Sequence, residues 1–301
     1  RQNTTRKQNS GSLYNHGDIV NTKNLGHSIR EKLLNIAKSQ NTDYQVILIR
    51  YFHERFLFRL SQSKYRELFC LKGGALLYAY EKFLARPTMD VDFRADKINN
   101  DINIICEAVA EICKIVCPED GVVFDDKNIT SEIITEFKDY HGVRIHLNAK
   151  LQSISQNISM DFGFGDEIYP SPNVISYPNL LEDMPCAKIS TYPLESVIAE
   201  KFQCIVDLAG RNTRMKDYFD IYRILKNHPV NESSLSEAIR RTFENRGTIR
   251  NPENEVFQED FATNPTLNKL WTSFLRKIKW KEDLPFLDVW SLIRQKLIDI
   301  N

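Results

Sequence analysis

From Val143 to Leu151 apolar and polar residues alternate without a break, Val143, Ile145, Leu147, Ala149 and Leu151 against Arg144, His146, Asn148 and Lys150. A period of two is the signature of a strand with one buried face. The same alternation returns in ISMDFGFGD, with Ile158, Met160, Phe162 and Phe164 on one face and Ser159, Asp161 and Gly163 on the other. The stretch Ile129–Lys138 is expected to pair with the first of these through a turn near His141-Gly142. Met89–Phe93 reads as a further strand, and Phe69–Lys72 as a short one broken by Gly73-Gly74.

Elsewhere the apolar positions keep helical spacing. His27–Lys38, Asp43–Ser61 and Ala75–Phe83 are predicted helices, as is Asn100–Cys117, ended by Pro118. Pro170, Pro172, Pro178, Pro185 and Pro193 then punctuate a loop-rich connection over Ile168–Pro193. Beyond it the pattern is almost wholly helical: Leu194–Ala209, Lys216–Asn227, Ser234–Glu244, Leu267–Ile278 and Leu287–Ile300. The predicted class is α+β, a mixed sheet with flanking helices followed by a helical C-terminal domain. Its expected divisions are a flexible, polar N-terminal segment over 1–25, an α/β domain over 26–175 and a helical domain over 176–301.

Composition narrows the function classes. Lysines and arginines number 40, as do the acids. That argues against a strongly basic nucleic-acid coat but allows a local basic groove. No apolar run approaches the ~20 residues of a membrane span, and the polar start has no signal-peptide core, so a cytoplasmic protein with no membrane partner is expected. The six cysteines form no CxxC pair. Cys113 and Cys117 would share a helical face, where a metal role is conceivable, but the expectation is small buried hydrophobes in a reducing compartment.

The candidate chemistry lies in KGGALLYAYEKFLARPTMDVDF. On a strand Asp90 and Asp92 project to the same face while Val91 and Phe93 turn to the core. Two carboxylates so close repel each other unless a cation lies between them, and Mg²⁺ takes oxygen ligands of this kind. Asp161, on the polar face of its own strand, offers a third carboxylate if the strands are neighbours, a set suited to phosphoryl transfer. Gly73-Gly74 stands between a strand and a helix, where backbone and helix N-terminus can approach a phosphate, and Lys72 adds charge. Each piece has a plainer reading: a lone DxD is common, and a lone GG is usually a turn. His53 reads as a packed core histidine, Trp271, Trp280 and Trp290 as packing, and the basic stretch from Arg240 to Asn251 as solvated surface rather than an RNA contact.

Taken together, the order strand, GG, helix, DxD and later Asp resembles the nucleotidyltransferase superfamily related to DNA polymerase beta. More narrowly, LKGGALLYAY, RPTMDVDF, ISMDFGFGD, AEKF and RNTRMKDYFDIYRIL are similar to the AbiEii/AbiGii-type abortive-infection toxins, over residues 45–228 and more loosely to the end. The gap over residues 75–89 is longer than in many polymerase-beta relatives and usual in this branch. The resemblance implies a nucleotidyltransferase that uses Mg²⁺ or Mn²⁺ and an NTP. It implies metal ligation by Asp90, Asp92 and Asp161, with Asp161 helping to activate the acceptor hydroxyl. Nucleotide binding would fall to Lys72, Gly73, Gly74, Arg86, Thr88 and Lys201, with Asp217 and Asp220 bracing the site and Arg214 and Lys216 nearby. Relatives act on the acceptor end of tRNA, so tRNA and a cognate antitoxin are the expected partners. A protein or small-molecule acceptor stays open, as does a non-catalytic NTP-binding module.

Overall fold

The computed structural model of the chain describes residues 16–137 and 140–298. Two helices come first, α1 (His16–Ser39) and α2 (Tyr44–Gln62). Then come β1 (Phe69–Lys72), α3 (Gly73–Glu81), β2 (Asp90–Ala95) and α4 (Ile102–Cys113). Six strands follow, β3 (Val122–Phe124), β4 (Thr130–Phe137), β5 (Tyr140–Leu151), β6 (Ile154–Gly163), β7 (Asn173–Ser176) and β8 (Lys188–Thr191). The remainder is helical: α5 (Leu194–Leu208), α6 (Met215–Asn227), α7 (Glu232–Asn245), α8 (Pro265–Lys277) and α9 (Phe286–Leu297). Among the described residues no helix is long and apolar enough to cross a membrane.

All eight strands form one mixed sheet in the order β3-β5-β6-β2-β1-β8-β7, with β4 on the same edge of β5 as β3. β2 runs parallel to β6 and antiparallel to β1, and β5 is antiparallel to β6. The alternation read from the sequence decides the faces. Val91, Phe93, Ile145, Leu147, Met160 and Phe162 are all buried on one side. There Phe162 stacks on Phe93 with ring centroids 5.2 Å apart and meets Phe69 edge-on at 4.9 Å. Phe56 of α2 closes on Phe93 at 6.4 Å. Each such ring contributes on the order of 2–3 kcal/mol of burial, so the apolar face holds the register firmly and commits the opposite face to the acids.

Several boundaries differ from the sequence reading. α1 starts at His16 rather than His27, so residues 16–25 of the segment expected to be flexible over 1–25 are helical, while 1–15 and the chain end past 298 lie outside the described residues. Gly73 and Gly74 form the first turn of α3 instead of preceding it. α4 is capped by the Asp101 carboxylate, which accepts from Asn103 N at 2.7 Å. It stops at Cys113, so Cys117 shares no helical face with it. Both thiols are buried and pushed up to about 12 by burial, as expected of packing cysteines. The turn expected near His141-Gly142 is already β5; the two residues between β4 and β5 are not among those described. The proline-rich connection holds β7 and β8, four residues each and too short to alternate visibly. β7 straddles residue 175 and β8 lies beyond it, so the sheet reaches into the part assigned from the sequence to the helical domain. The all-helical stretch begins at Leu194.

Candidate active site

The strand registers place charged residues in a row across the open face of the sheet. Lys72 of β1 pairs with Asp92 of β2, Asp92 with Asp161 of β6, Asp161 with Arg144 of β5, and Arg144 with Glu132 of β4. Asp90 stands one row on, opposite Ser159. Carboxylate oxygens of Asp90, Asp92 and Asp161 all lie within 4.8 Å of one another. These are the three acids that the sequence pattern singles out, and they converge although Asp161 lies far along the chain.

Their surroundings differ. Burial pushes Asp90 up, but the Thr88 hydroxyl, which donates to its Oδ1 at 2.7 Å, together with Lys216 and Arg86 outweighs it, and Asp90 stays below the ordinary carboxyl range. Burial and the two neighbouring acids drive Asp92 up to about 7. No side chain among the described residues donates to Asp92. Asp161 is gripped by Arg144, whose Nε and Nη2 each donate to one of its oxygens at 2.7 Å. A half-buried carboxylate so raised by two others, with no donor of its own, is what a divalent cation on oxygen ligands would relieve, and the donor set fits Mg²⁺ or Mn²⁺.

The glycines have a steric reason beyond their amides. Gly73 sits at φ +68°, and a Cβ there would lie 1.9 Å from Asp92 Oδ2. A Cβ on Gly74 would meet Thr88 at 2.8 Å. The pair therefore leaves room for Asp92 and for the hydroxyl that holds Asp90. It also opens α3 with no side-chain cap on its first amides, the arrangement that suits a phosphate.

The helices close the other wall. Lys201 Nζ on α5 lies 2.8 Å from Asp217 and 2.9 Å from Asp220 on α6. Arg86 donates to both oxygens of Asp220 at 2.9 Å, and Arg214 reaches Asp217 at 2.9 Å. Burial alone would lower Lys201, but Asp217 and Asp220 reverse it and hold the ammonium above its ordinary value. Of the residues predicted from the sequence, Lys72, Gly73, Gly74, Arg86, Thr88, Asp90, Asp92, Asp161, Lys201 and Asp217 line one cleft of about 340 Å³. Asp220 lies behind it, 1% exposed. Lys72 does not reach out alone, since its ammonium bonds Asp166 at 2.8 Å and Glu200 at 3.3 Å.

Arg144, Glu200 and Arg246 complete the walls, and Asp166 backs them through Lys72 and Arg246, without having been singled out for the site. Arg246 leaves the stretch read as solvated surface and donates to Asp166 at 2.7 Å and to Gln203 at 2.8 Å. The only hint was that Asp166 closes the quoted ISMDFGFGD. Its neighbours Arg240 and Arg241 stay on the surface, paired with Glu237. His53 is a packed histidine, with burial pushing its ring down to about 4. Trp271 and Trp290 are buried in the helical core, and Trp271 donates to Leu284 O at 2.7 Å.

Comparison with known proteins shows the fold and the family. Two crystal structures from Helicobacter pylori share the fold: JHP933, and a protein described as a candidate nucleotidyltransferase. Each is 18% identical with a TM-score of 0.50, covering 86% of this chain and 94% and 99% of its own length. No curated protein matches the chain. A family model described as nucleotidyl transferase AbiEii toxin, Type IV TA system, matches residues 55–292, a span that takes in all three acids, both glycines and the helical wall. The chain is an enzyme of nucleotidyl transfer and belongs to the AbiEii toxin family.

Proposed function

We propose that the protein transfers a nucleoside monophosphate from an NTP to the 3′ hydroxyl of an RNA, with tRNA as the leading acceptor, in a reaction that needs Mg²⁺ or Mn²⁺. The observation that carries this reading is the convergence of Asp90, Asp92 and Asp161 oxygens within 4.8 Å beside an uncapped helix start. The three acids would hold the divalent ion, which supplies charge neutralisation at the transferring phosphoryl group. The first amides of α3 receive the phosphates. Lys216 is exposed, lines the cleft and faces Asp90 and Asp92, where its ammonium balances the leaving pyrophosphate. Asp161, oriented by Arg144, keeps a second acceptor direction on each oxygen and takes the proton of the acceptor hydroxyl. The acceptor oxygen bonds to the α-phosphorus as the bond to the β-phosphate oxygen breaks. Lys201, Arg86, Asp217 and Asp220 fix the helical wall against the sheet, so the walls are placed before substrates arrive. The type IV toxin-antitoxin family adds an antitoxin as the expected partner.

The test mixes the protein with total tRNA, Mg²⁺ and each labelled NTP in turn, beside Asp90→Ala checked for folding. Label in RNA with the native protein alone supports the reading. No label from any NTP, by a folded protein that binds nucleotide, overturns RNA as the acceptor.

A further inference from the structure

The two sides of the acid row are built differently. On the β1 side stand Lys72, the two glycines, the start of α3 and the wall from α5 and α6. On the β5 side, among the described residues, the cleft is lined only by Arg144 and by Ile134 of β4, with no helical wall. Past Arg144 the same face continues along the β5–β6 ladder through the registered pairs His146–Ser159, Asn148–Asn157 and Lys150–Ser155. His146 Nδ1 and Ser159 Oγ are 2.9 Å apart, and Asn148 donates to Asn157 Oδ1 at 2.9 Å. Asn157 and Lys150 are exposed. The result is a polar strip leading away from Asp161 for about 20 Å at ~3.3 Å per residue. It presents amide, hydroxyl, imidazole and ammonium groups, and its own side chains form no apolar patch.

Phosphoryl transfer requires the attacking and leaving oxygens to lie roughly in line. A nucleotide with its phosphates on the glycine side therefore has its pyrophosphate leaving toward α3. Its acceptor must come from the opposite side, which is the Arg144 side. Resting on the RNA-acceptor reading above, we infer that the open face of the β5–β6 ladder is the acceptor subsite and takes the last nucleotides of a single-stranded RNA end. Asn148 and Asn157 hydrogen-bond sugar and base edges, and Lys150 meets a backbone phosphate. The partner is a strand and not a duplex, because one two-stranded ladder offers a single row of hydrogen-bonding groups, and a free end can lie along it with its hydroxyl at Asp161.

The experiment reverses the charge of Lys150, which touches neither the acids nor the helical wall. Lys150→Glu and a control on the far helical surface, Lys269→Glu, are compared with the native chain for melting temperature, for KM of the NTP, and for KM and salt dependence of an RNA acceptor. The expected result is a KM for RNA raised about tenfold in Lys150→Glu, as for loss of one phosphate contact. The slope of log affinity against log salt should shrink by about 0.7, with the NTP KM unchanged and the control silent. Transfer to RNA by the native chain with no change in Lys150→Glu overturns the subsite and leaves the proposed function standing. No transfer to RNA by the native chain overturns the function and this inference with it.

Discussion

Replacing Gly73 by alanine tests how the site is built. Two costs are separable. The backbone at φ +68° is left-handed, which charges an alanine about 1–2 kcal/mol. The added Cβ would also lie 1.9 Å from Asp92 Oδ2, where an ordinary contact needs about 3.4 Å. Asp92 must therefore move by roughly 1.5 Å, and a displacement of ~1 Å at a reacting centre can cost about a hundredfold in rate. Gly247 supplies the control, because it has φ +61° and nothing within 4 Å of its would-be Cβ. Gly247→Ala should lose only the backbone cost, a few degrees of melting temperature, with transfer intact. Gly73→Ala should lose at least as much stability, about a hundredfold or more in single-turnover transfer, and much of its Mn²⁺ affinity by calorimetry. Equal behaviour of the two variants in all three measurements would refute the claim that Gly73 exists to make room for Asp92.

Other expectations follow from the same contacts. Thr88→Val keeps the shape against Gly74 but removes the hydroxyl donor to Asp90, and should weaken Mn²⁺ binding by about tenfold, near 1–1.5 kcal/mol; Thr88→Ser should restore it. Lys201→Met leaves Asp217 and Asp220 short of one buried partner and should destabilise by about 3 kcal/mol in urea unfolding. Adding Asp217→Asn should recover part of that loss, and strict additivity would show the pair uncoupled. His53 has its folded value pushed down to about 4, while the unfolded ring titrates near 6.5. The unfolded chain therefore binds the extra proton, and the His53 contribution is full above about pH 6.5 and is lost as pH falls toward 4. The stability difference between the native chain and His53→Gln should shrink by up to ~3 kcal/mol over that window, and a constant difference would show the ring to be solvated.

Much of the site is legible in the chain because strand alternation is a local property. It turns Asp90 and Asp92 to one face and Asp161 to the polar face of its own strand without any knowledge of pairing. What alternation cannot provide is register. That Asp161 lies beside Asp92, with Arg144 next in the row, depends on which strands meet and with what offset. Arg246 and Asp166 lie further beyond local reading, since a loop after β6 meets the end of α7 only in the assembled fold. β7 and β8 escape notice because four residues between prolines show no period. α1 is longer than expected because its first turns, HGDIVNTKNL, carry few apolar residues to mark a helical face.

The ring stack behind the sheet has a consequence for how this enzyme can vary. Each acid of the central pair is bonded in sequence to a phenylalanine, Asp92 to Phe93 and Asp161 to Phe162, and those two rings stack 5.2 Å apart on the reverse side. The backbone ladder between β2 and β6 sets the spacing of the two strands, and the ring stack behind resists any twist or slip that would turn the carboxylates in front. A change of ring to aliphatic at either position leaves a cavity behind the strands and should loosen the acids with no alteration of charge or of any group lining the cleft. Drift in activity can therefore begin in the oily interior, where a comparison confined to cleft residues would see nothing change.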